Sequence, residues 1–293
     1  MNMWLMGAGY WGSKLVKSLK KFDVEADIID TRDGQTINDI TSNAPVMLAT
    51  PLWQHFEQTC LLLERGHDVY VEKPMAETTQ QIDAISKIKT SNQLLMVGHL
   101  FVHHPQIHEI KQYIANGTIG QLTHVTSRRL NWGIYQTKTD PLLSLATHDI
   151  SILQTIVDST VIADCARSWN YSNNSQPDRV WFSGISQNGI TFDIDVSWHW
   201  PTRIRQTVVL GTKGQIVWDQ DANTITVAHN IIQDRKAVAA PTSTVLPYQY
   251  ELSPLETELK HWIDCVKYRS QPSTGIQAAE SVAKVIDSVK QLL

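Results

Sequence analysis

Three glycines, Gly7, Gly9 and Gly12, stand in the order G-x-G-x-x-G within "GAGYWG". They follow a short apolar stretch, residues 4–6, that reads as a strand, and they open a helix expected over residues 11–21. In that setting each glycine has a task. The first permits a tight turn, the second lets the backbone approach a pyrophosphate, and the third lets the helix pack close to the strand. The helix N-terminus then offers free N–H groups and a partial positive charge to phosphates. Tyr10 and Trp11 lie inside this loop and belong to the expected cofactor-binding set. Asp30 ends the next expected strand, 18 residues beyond Gly12, where a carboxylate accepts hydrogen bonds from ribose hydroxyls. It would repel a 2′-phosphate, which favours NAD(H). Arg32, two residues on, is a cation with which such a phosphate pairs, so NADP(H) stays open.

A second constellation lies in "VYVEKPMAE", residues 69–77, where Glu72, Lys73 and Pro74 close an apolar run. A lysine at the mouth of a buried strand can polarise a hydroxyl or carbonyl, or serve as an acid/base if its pKa is lowered. The proline stops the strand and turns the chain. Read locally, Lys73 is a surface charge at a strand end before it is anything else, and Glu72 joins the cofactor-binding set. "ATPLWQH", residues 49–55, sits at another expected strand end. Thr50 and Pro51 there are expected to contact the cofactor backbone. His55 is expected to do so too, or to cap or pack at the helix start.

These groups need elements to hold them. Through the first ~120 residues, short apolar runs (4–6, 26–29, 46–49, 69–71 and 94–97) alternate with helical spacing at 11–21, 53–65 and 78–90. Such alternation predicts a parallel sheet with helices on both faces. After residue 120 the runs at 122–130, 180–186, 190–198, 207–210 and 215–219 read as longer strands separated by Gly-bearing turns. They predict an open, mostly antiparallel sheet with one covered face, interrupted by a helix over 143–157. From Pro254 the chain reads as two helices with "STG" between them, and 170–177 and 237–247 read as loops. The expected fold is α/β: a Rossmann domain over 1–120 and an α/β domain over 121–293.

Composition narrows the function classes. The 293 residues are 42% hydrophobic and carry a net charge of 25 − 29 = −4, with no basic block or acidic tail, so neither nucleic acid nor a membrane surface is expected as partner. No apolar run approaches the ~18 residues a membrane span needs. The N-terminal residues lack a signal peptide's basic region. Cys60, Cys165 and Cys265 are scattered, with no CxxC pair, as expected of a reduced cytoplasmic protein. Ten tryptophans suit core and subunit-interface positions. His104 and His108, four apart, could share a metal on a helix face, but no third ligand or HExxH accompanies them, and no metal is expected. His199, between two tryptophans, reads as a strand residue. Arg128, Arg129, Asn131 and Tyr135 precede the helix over 143–157; Arg129 and Asn131 are candidate substrate contacts, since arginine pairs with pyrophosphates and carboxylates.

Taken together, "GxGYWG", "ATPxxxH", "ERGHDVYVEKPMA" and "MVGHLFVHHP" resemble the glucose–fructose oxidoreductase / inositol dehydrogenase / MocA family. "IGQLTHVTSRRLNWG", "LATHDISIL" and "PLETELKHWIDCV" extend the resemblance, toward the branch acting on nucleotide-linked sugars, including UDP-N-acetylglucosamine 3-dehydrogenase-like enzymes. It covers most of the chain and is least distinctive over 163–245. The resemblance implies NAD(P)-dependent hydride transfer at a sugar ring carbon. It also implies a second-domain sheet that forms subunit interfaces, hence a homodimer or homotetramer. Carried over by position, the lysine and histidine flanking the substrate are Lys73 and His148. The family places an aspartate four residues before that histidine, and here Ser144 stands there. Positions four apart share a helix face, so an Asp–His contact is expected to be missing, with Asp149 pointing elsewhere. The family also contains catalytically silent dinucleotide-binding sensors and scaffolds. Ser144 fits that alternative, whereas Lys73 and His148 fit an enzyme.

Overall fold

The computed structural model describes residues 1–133, 135–136, 138–173, 175–229, 231–233, 236–238, 242–245 and 251–293. The chain divides into two compact units, Met1–His103 with Leu252–Lys284, and His104–Glu251 with Val285–Leu293.

In the first unit, strands β1 (Asn2–Met6), β2 (Glu25–Ile29), β3 (Val46–Leu48), β4 (Val69–Glu72) and β5 (Leu95–Gly98) form one parallel sheet in the order β2-β1-β3-β4-β5. Every residue of β3, β4 and β5 is buried, the signature of strands covered on both faces. The connecting helices are α1 (Tyr10–Leu19), α2 (Leu52–Glu64) and α3 (Thr79–Ile88). Helix α3 begins where the Thr78 side chain accepts the Gln81 N–H.

Helices of the chain's C-terminal part pack on both faces of this sheet. Helix α6 (Pro254–Tyr268, numbered after the helices of the second unit) opens on a capping box between Ser253 and Glu256 with Pro254 in its first turn. Its stripe Leu259, Trp262 and Cys265 packs in one core with Met3, Leu5 and Leu15. Ala279 and Ala283 of helix α7 (Ile276–Leu292) pack in the core on Val46 and Val71. The observed division therefore differs from the expected 1–120 and 121–293. Helical periodicity shows that α6 has an apolar stripe, but not which sheet that stripe covers.

The second unit contains helix α4 (Pro105–Ala115), strand β6 (Leu122–Trp132), a π turn over Leu142–Ala146 and helix α5 (Thr147–Val157). Then come β7 (Val161–Trp169), β8 (Arg179–Ser186), β9 (Thr191–Ser197), β10 (His199–Gly211), β11 (Gly214–Asp219), β12 (Thr224–His229), β13 (Ile231–Gln233), β14 (Lys236–Val238) and β15 (Thr242–Val245). Eight of these strands form a sheet in the order β15-β12-β11-β10-β6-β9-β8-β7, antiparallel throughout except at β6–β9. Strands β13 and β14 pair separately. The expected loop over 237–247 is corrected: it includes part of β14 and all of β15, while 239–241 and 246–247 lie outside the described residues.

The stretch "TFDIDVSWHW" shows how this sheet divides its faces. Phe192, Ile194 and Val196 are buried in the core. Asp193 lies on the other face, 2.8 Å from Thr126 Oγ1 and 3.0 Å from His124 Nε2, and Asp195 pairs with Arg179 at 2.7 Å. The far face of β9 is thus polar. Apolar exposure on this face falls instead on Ile162 and Ile185, cross-strand partners that are 65% and 46% exposed. Among the described residues no helix is long and apolar enough to cross a membrane.

Candidate active site

The order of the first sheet reverses at β1, whose neighbours are β2 and β3. In open α/β sheets, ligands bind outside the carboxyl ends of the strands at such a switch point. The loop after β1 is built by its glycines. Gly7 has φ +96°, and a Cβ there would lie 2.6 Å from the Ala49 carbonyl oxygen. A Cβ on Gly12 would overlap the Gly7 oxygen, so helix and loop can close only with glycine at both positions. Gly9 differs: a Cβ there would meet nothing within 4 Å. Gly9 is also the N-cap of α1, and no side chain caps the helix there. Close packing at two glycines, and open approach to uncapped N–H groups at the third, fit a dinucleotide's pyrophosphate.

Asp30 reaches this loop from the end of β2. Its Oδ2 accepts the Ala8 N–H at 3.1 Å, and both its oxygens accept hydrogen bonds from Arg32, Nε at 2.9 Å to Oδ1. The Arg32 guanidinium holds this carboxyl well below the usual carboxylate range. Tyr10 is exposed on the first turn of α1, with the Lys14 ammonium over its ring. Trp11 instead turns its indole N–H to the Glu72 carboxylate.

Two of the expected cofactor contacts are tied into the protein. Thr50 Oγ1 donates to Gln58 Oε1 at 2.6 Å. His55 is buried with Nδ1 2.8 Å from the Pro74 oxygen and Nε2 2.8 Å from the Thr50 oxygen. Burial pushes its pKa down, so the ring is neutral and donates to one of these carbonyls. His55 therefore joins the Thr50 loop to the Glu-Lys-Pro turn, packed near the helix start as one of its two expected roles has it. Pro51, the N-cap of α2, is exposed on the rim.

Strand β4 ends at Glu72, and the Lys73–Pro74 peptide bond is cis. Glu72, expected among the cofactor contacts, is 8% exposed at this strand end. Besides Trp11 it accepts from Tyr70 Oη at 3.2 Å and from the Lys73 N–H at 3.3 Å. Lys73 itself is half-buried. At the end of the neighbouring strand His99 is buried, and neither ring nitrogen has a hydrogen-bond partner among the described residues. Burial first, then the Lys73 charge, lowers its pKa to about 4, which leaves a neutral imidazole near a cation. The sequence reading missed His99. Its signal is a histidine two residues beyond an expected strand on this rim.

In the second unit His148 is the second residue of α5, half-buried and immediately after the π turn. Such turns recur at functional sites. The turn also alters the comparison with Ser144: four-residue spacing does not repeat on one face through i→i+5 geometry. Ser144 Oγ donates to the Asp140 carbonyl at 2.8 Å, while the Asp140 carboxylate accepts the Leu143 N–H. Asp149 points into the core, away from His148's exposed side. There it binds Arg129 through Nε at 2.6 Å and Nη2 at 3.1 Å, and accepts from Ser127 Oγ at 2.7 Å. Arg129, an expected substrate contact, is thus buried and paired with Asp149. Asn131 Oδ1 accepts from Arg205 Nη2 at 2.6 Å. His104 is the N-cap of α4, accepting the Gln106 N–H, so it does not share a helix face with His108.

The profile of an oxidoreductase family with an NAD-binding Rossmann fold matches residues 16–99, and that of the GFO/IDH/MocA C-terminal domain matches residues 107–217. The chain belongs to the GFO/IDH/MocA oxidoreductase family. Its first unit is that family's NAD-binding domain. A 2,7-anhydro-N-acetylneuraminate hydratase of Mediterraneibacter gnavus is 26% identical over 148 residues, 44% of this chain and 39% of that protein. D-glucoside 3-dehydrogenase of Escherichia coli is 28% identical over 116 residues, 35% of this chain and 32% of that protein. The chain spans about two fifths or less of the length of these curated relatives. Among solved structures, UDP-N-acetylglucosamine 3-dehydrogenase GnnA from Acidithiobacillus ferrooxidans superposes with TM-score 0.84 at 16% identity, covering 100% of this chain and 97% of that one. Levoglucosan dehydrogenase in complex with NADH and levoglucosan gives 0.82 at 18% identity, covering 100% and 97%. At these identities the likeness is one of fold.

Proposed function

We propose that this oxidoreductase transfers a hydride between nicotinamide and a ring carbon of a sugar, and that the sugar is nucleotide-linked. The observation that carries the reading is the glycine loop, close-packed at Gly7 and Gly12 and open at Gly9, with Lys73 ending a strand of the same sheet. Sugar dehydrogenases among the relatives, and the full-length fold match to an enzyme named for a UDP-sugar, support the substrate class. The bound dinucleotide supplies the hydride chemistry; the protein supplies position and proton handling. Gly7, Gly9, Gly12 and the first turn of α1, with Tyr10, hold the pyrophosphate, and Thr50 and Pro51 line the neighbouring strand end. Lys73 orients and polarises the reacting oxygen, and His148 takes its proton.

Asp30 holds the adenosine ribose. Asp30→Ala is expected to weaken NAD(H) by about tenfold or more, the worth of charge-assisted hydrogen bonds. NADP(H) is expected to hold or gain, because Arg32 is released to meet the 2′-phosphate. Titration of cofactor fluorescence measures both. Wild-type protein that binds NADP(H) about tenfold tighter than NAD(H) would reverse the assignment.

The assembly proposed is a homodimer or homotetramer built on the outer face of the second sheet, where Ile162 and Ile185 are exposed side by side. Solution scattering at micromolar concentration is expected to give a multiple of the 33.1 kDa chain mass. A monomeric mass contradicts it.

A further inference from the structure

Below the Lys73 rim, three polar side chains share a water-poor pocket of the first unit. Tyr70 and Glu258 are 0% exposed and Glu72 is 8% exposed. Tyr70 Oη lies 3.2 Å from Glu72 Oε1 and 3.2 Å from Glu258 Oε2, linking strand β4 to helix α6 across 188 residues of sequence. A Cβ on Gly98 would come within 2.6 Å of that phenol oxygen, so the glycine at the end of β5 is what leaves the phenol its place.

The hydrogen count decides the charge. A phenol has one proton to donate. With both carboxyls ionised it would satisfy one and present a lone pair to the other, and two buried carboxylates would repel. With one proton added the chain closes: a carboxylic O–H donates to Tyr70 Oη, and Tyr70 donates to the remaining carboxylate. The neighbours set the direction. Burial pushes the pKa of Glu72 up, but against this Glu72 accepts from the Trp11 indole and the Lys73 N–H and feels the Lys73 ammonium, contacts that favour its anion and that Glu258 lacks. Glu258 Oε1 has no partner among the described residues. Burial first, then the Glu72 charge, pushes its pKa well above the carboxylate range. Beyond the trio, Lys73 is the charged group acting on Glu72, and Lys73 in turn acts on the neutral ring of His99.

We propose that Glu72 and Glu258 share a single proton through Tyr70, held by Glu258. Tyr70 and Glu258 are thereby positioning residues that keep Glu72 anionic beside Lys73. An anion there favours the ammonium form of Lys73, the form that polarises an oxygen. Helix α6 contributes to the rim without reaching it.

Infrared difference spectroscopy of the full chain at neutral pH, wild type minus Glu258→Gln, tests the proton. The amide introduced by this substitution keeps the shape and a donor toward Tyr70. The expected difference is the loss of one protonated-carboxyl carbonyl band, shifted in D2O. Loss of an ionised-carboxylate band instead overturns the proposal. If the variant does not fold, carbon-13 NMR of glutamate carboxyls in wild type gives the same answer. One carboxyl carbon is expected to stay protonated between about pH 6 and 8, far above the ordinary ~4.3 of glutamate; the absence of any such carbon contradicts it. The positioning role is read from Tyr70→Phe and rests on the proposed function of Lys73. Without the phenol's donation Glu72 is a poorer anion and Lys73 loses its proton more easily. The alkaline limb of kcat/KM is then expected to move to lower pH, with cofactor affinity within about twofold. An unmoved limb removes the positioning role, whereas a chain with no turnover at all leaves the spectral result standing.

Discussion

Replacing Lys73 by alanine is expected to lower turnover by about 10²–10⁴, the usual worth of a positioned acid/base group. Cofactor affinity is expected to change no more than a few-fold, because the phosphates are held by the glycine loop and the first turn of α1. Lys73→Arg is expected not to rescue. Guanidinium does not give up its proton and its planar fork cannot replace a point charge. His148→Ala is expected to cost a similar factor. If both groups serve one proton transfer, the double variant loses less than the product of the two single losses. Single-turnover rates of NAD reduction measure all four. Full activity in Lys73→Ala would return this lysine to a strand-end surface charge.

Asp149→Ala is expected to destabilise the fold by about 3–5 kcal/mol, the cost of breaking a buried ion pair from one side. The side chains of Arg129 and Asp149 are 5% and 0% exposed, and the substitution leaves a buried guanidinium without its carboxylate. It also removes the carboxylate that accepts from Ser127 Oγ, leaving Thr207 Oγ1 at 3.2 Å as that hydroxyl's neighbour. Replacing both partners, Arg129→Met with Asp149→Leu, is expected to recover most of the loss, since an apolar pair of similar volume needs no desolvation. Urea unfolding of wild type and the two variants gives the comparison. A cost below about 1 kcal/mol for Asp149→Ala would mean that water reaches this pair.

The two predictions differ in how far the sequence could announce them. The place of Lys73 at a strand end was legible because its setting is local, an apolar run, a charged pair and a proline, whereas its role came only from the family resemblance. The glycine loop was legible for the same reason, as Gly7 and Gly12 answer steric demands set within a few residues. Asp149 was expected to point away from His148, but not toward Arg129, because a strand–helix pairing over 20 residues leaves no periodic trace. The Tyr70–Glu258 contact is more remote still, joining β4 to a helix whose own stripe did not declare its partner sheet. Strand β12, "TITVAH", alternates cleanly after a turn and was there to be read. Strand β7 was harder: it is an edge strand with polar residues such as Asp164 and Arg167 in its run, and apolar alternation fades where one side meets solvent.

The most direct test mixes wild-type protein with NAD and a panel of UDP-linked, dTDP-linked and free sugars, following nicotinamide absorbance and melting temperature together. At least one nucleotide-linked sugar is expected both to raise the melting temperature and to drive reduction of NAD, with Lys73→Ala retaining the first effect and losing the second. A sugar that stabilises the wild-type protein in the presence of NAD and NADP without any change in nicotinamide absorbance, in either direction of the reaction, would contradict the account and make the chain a silent binder.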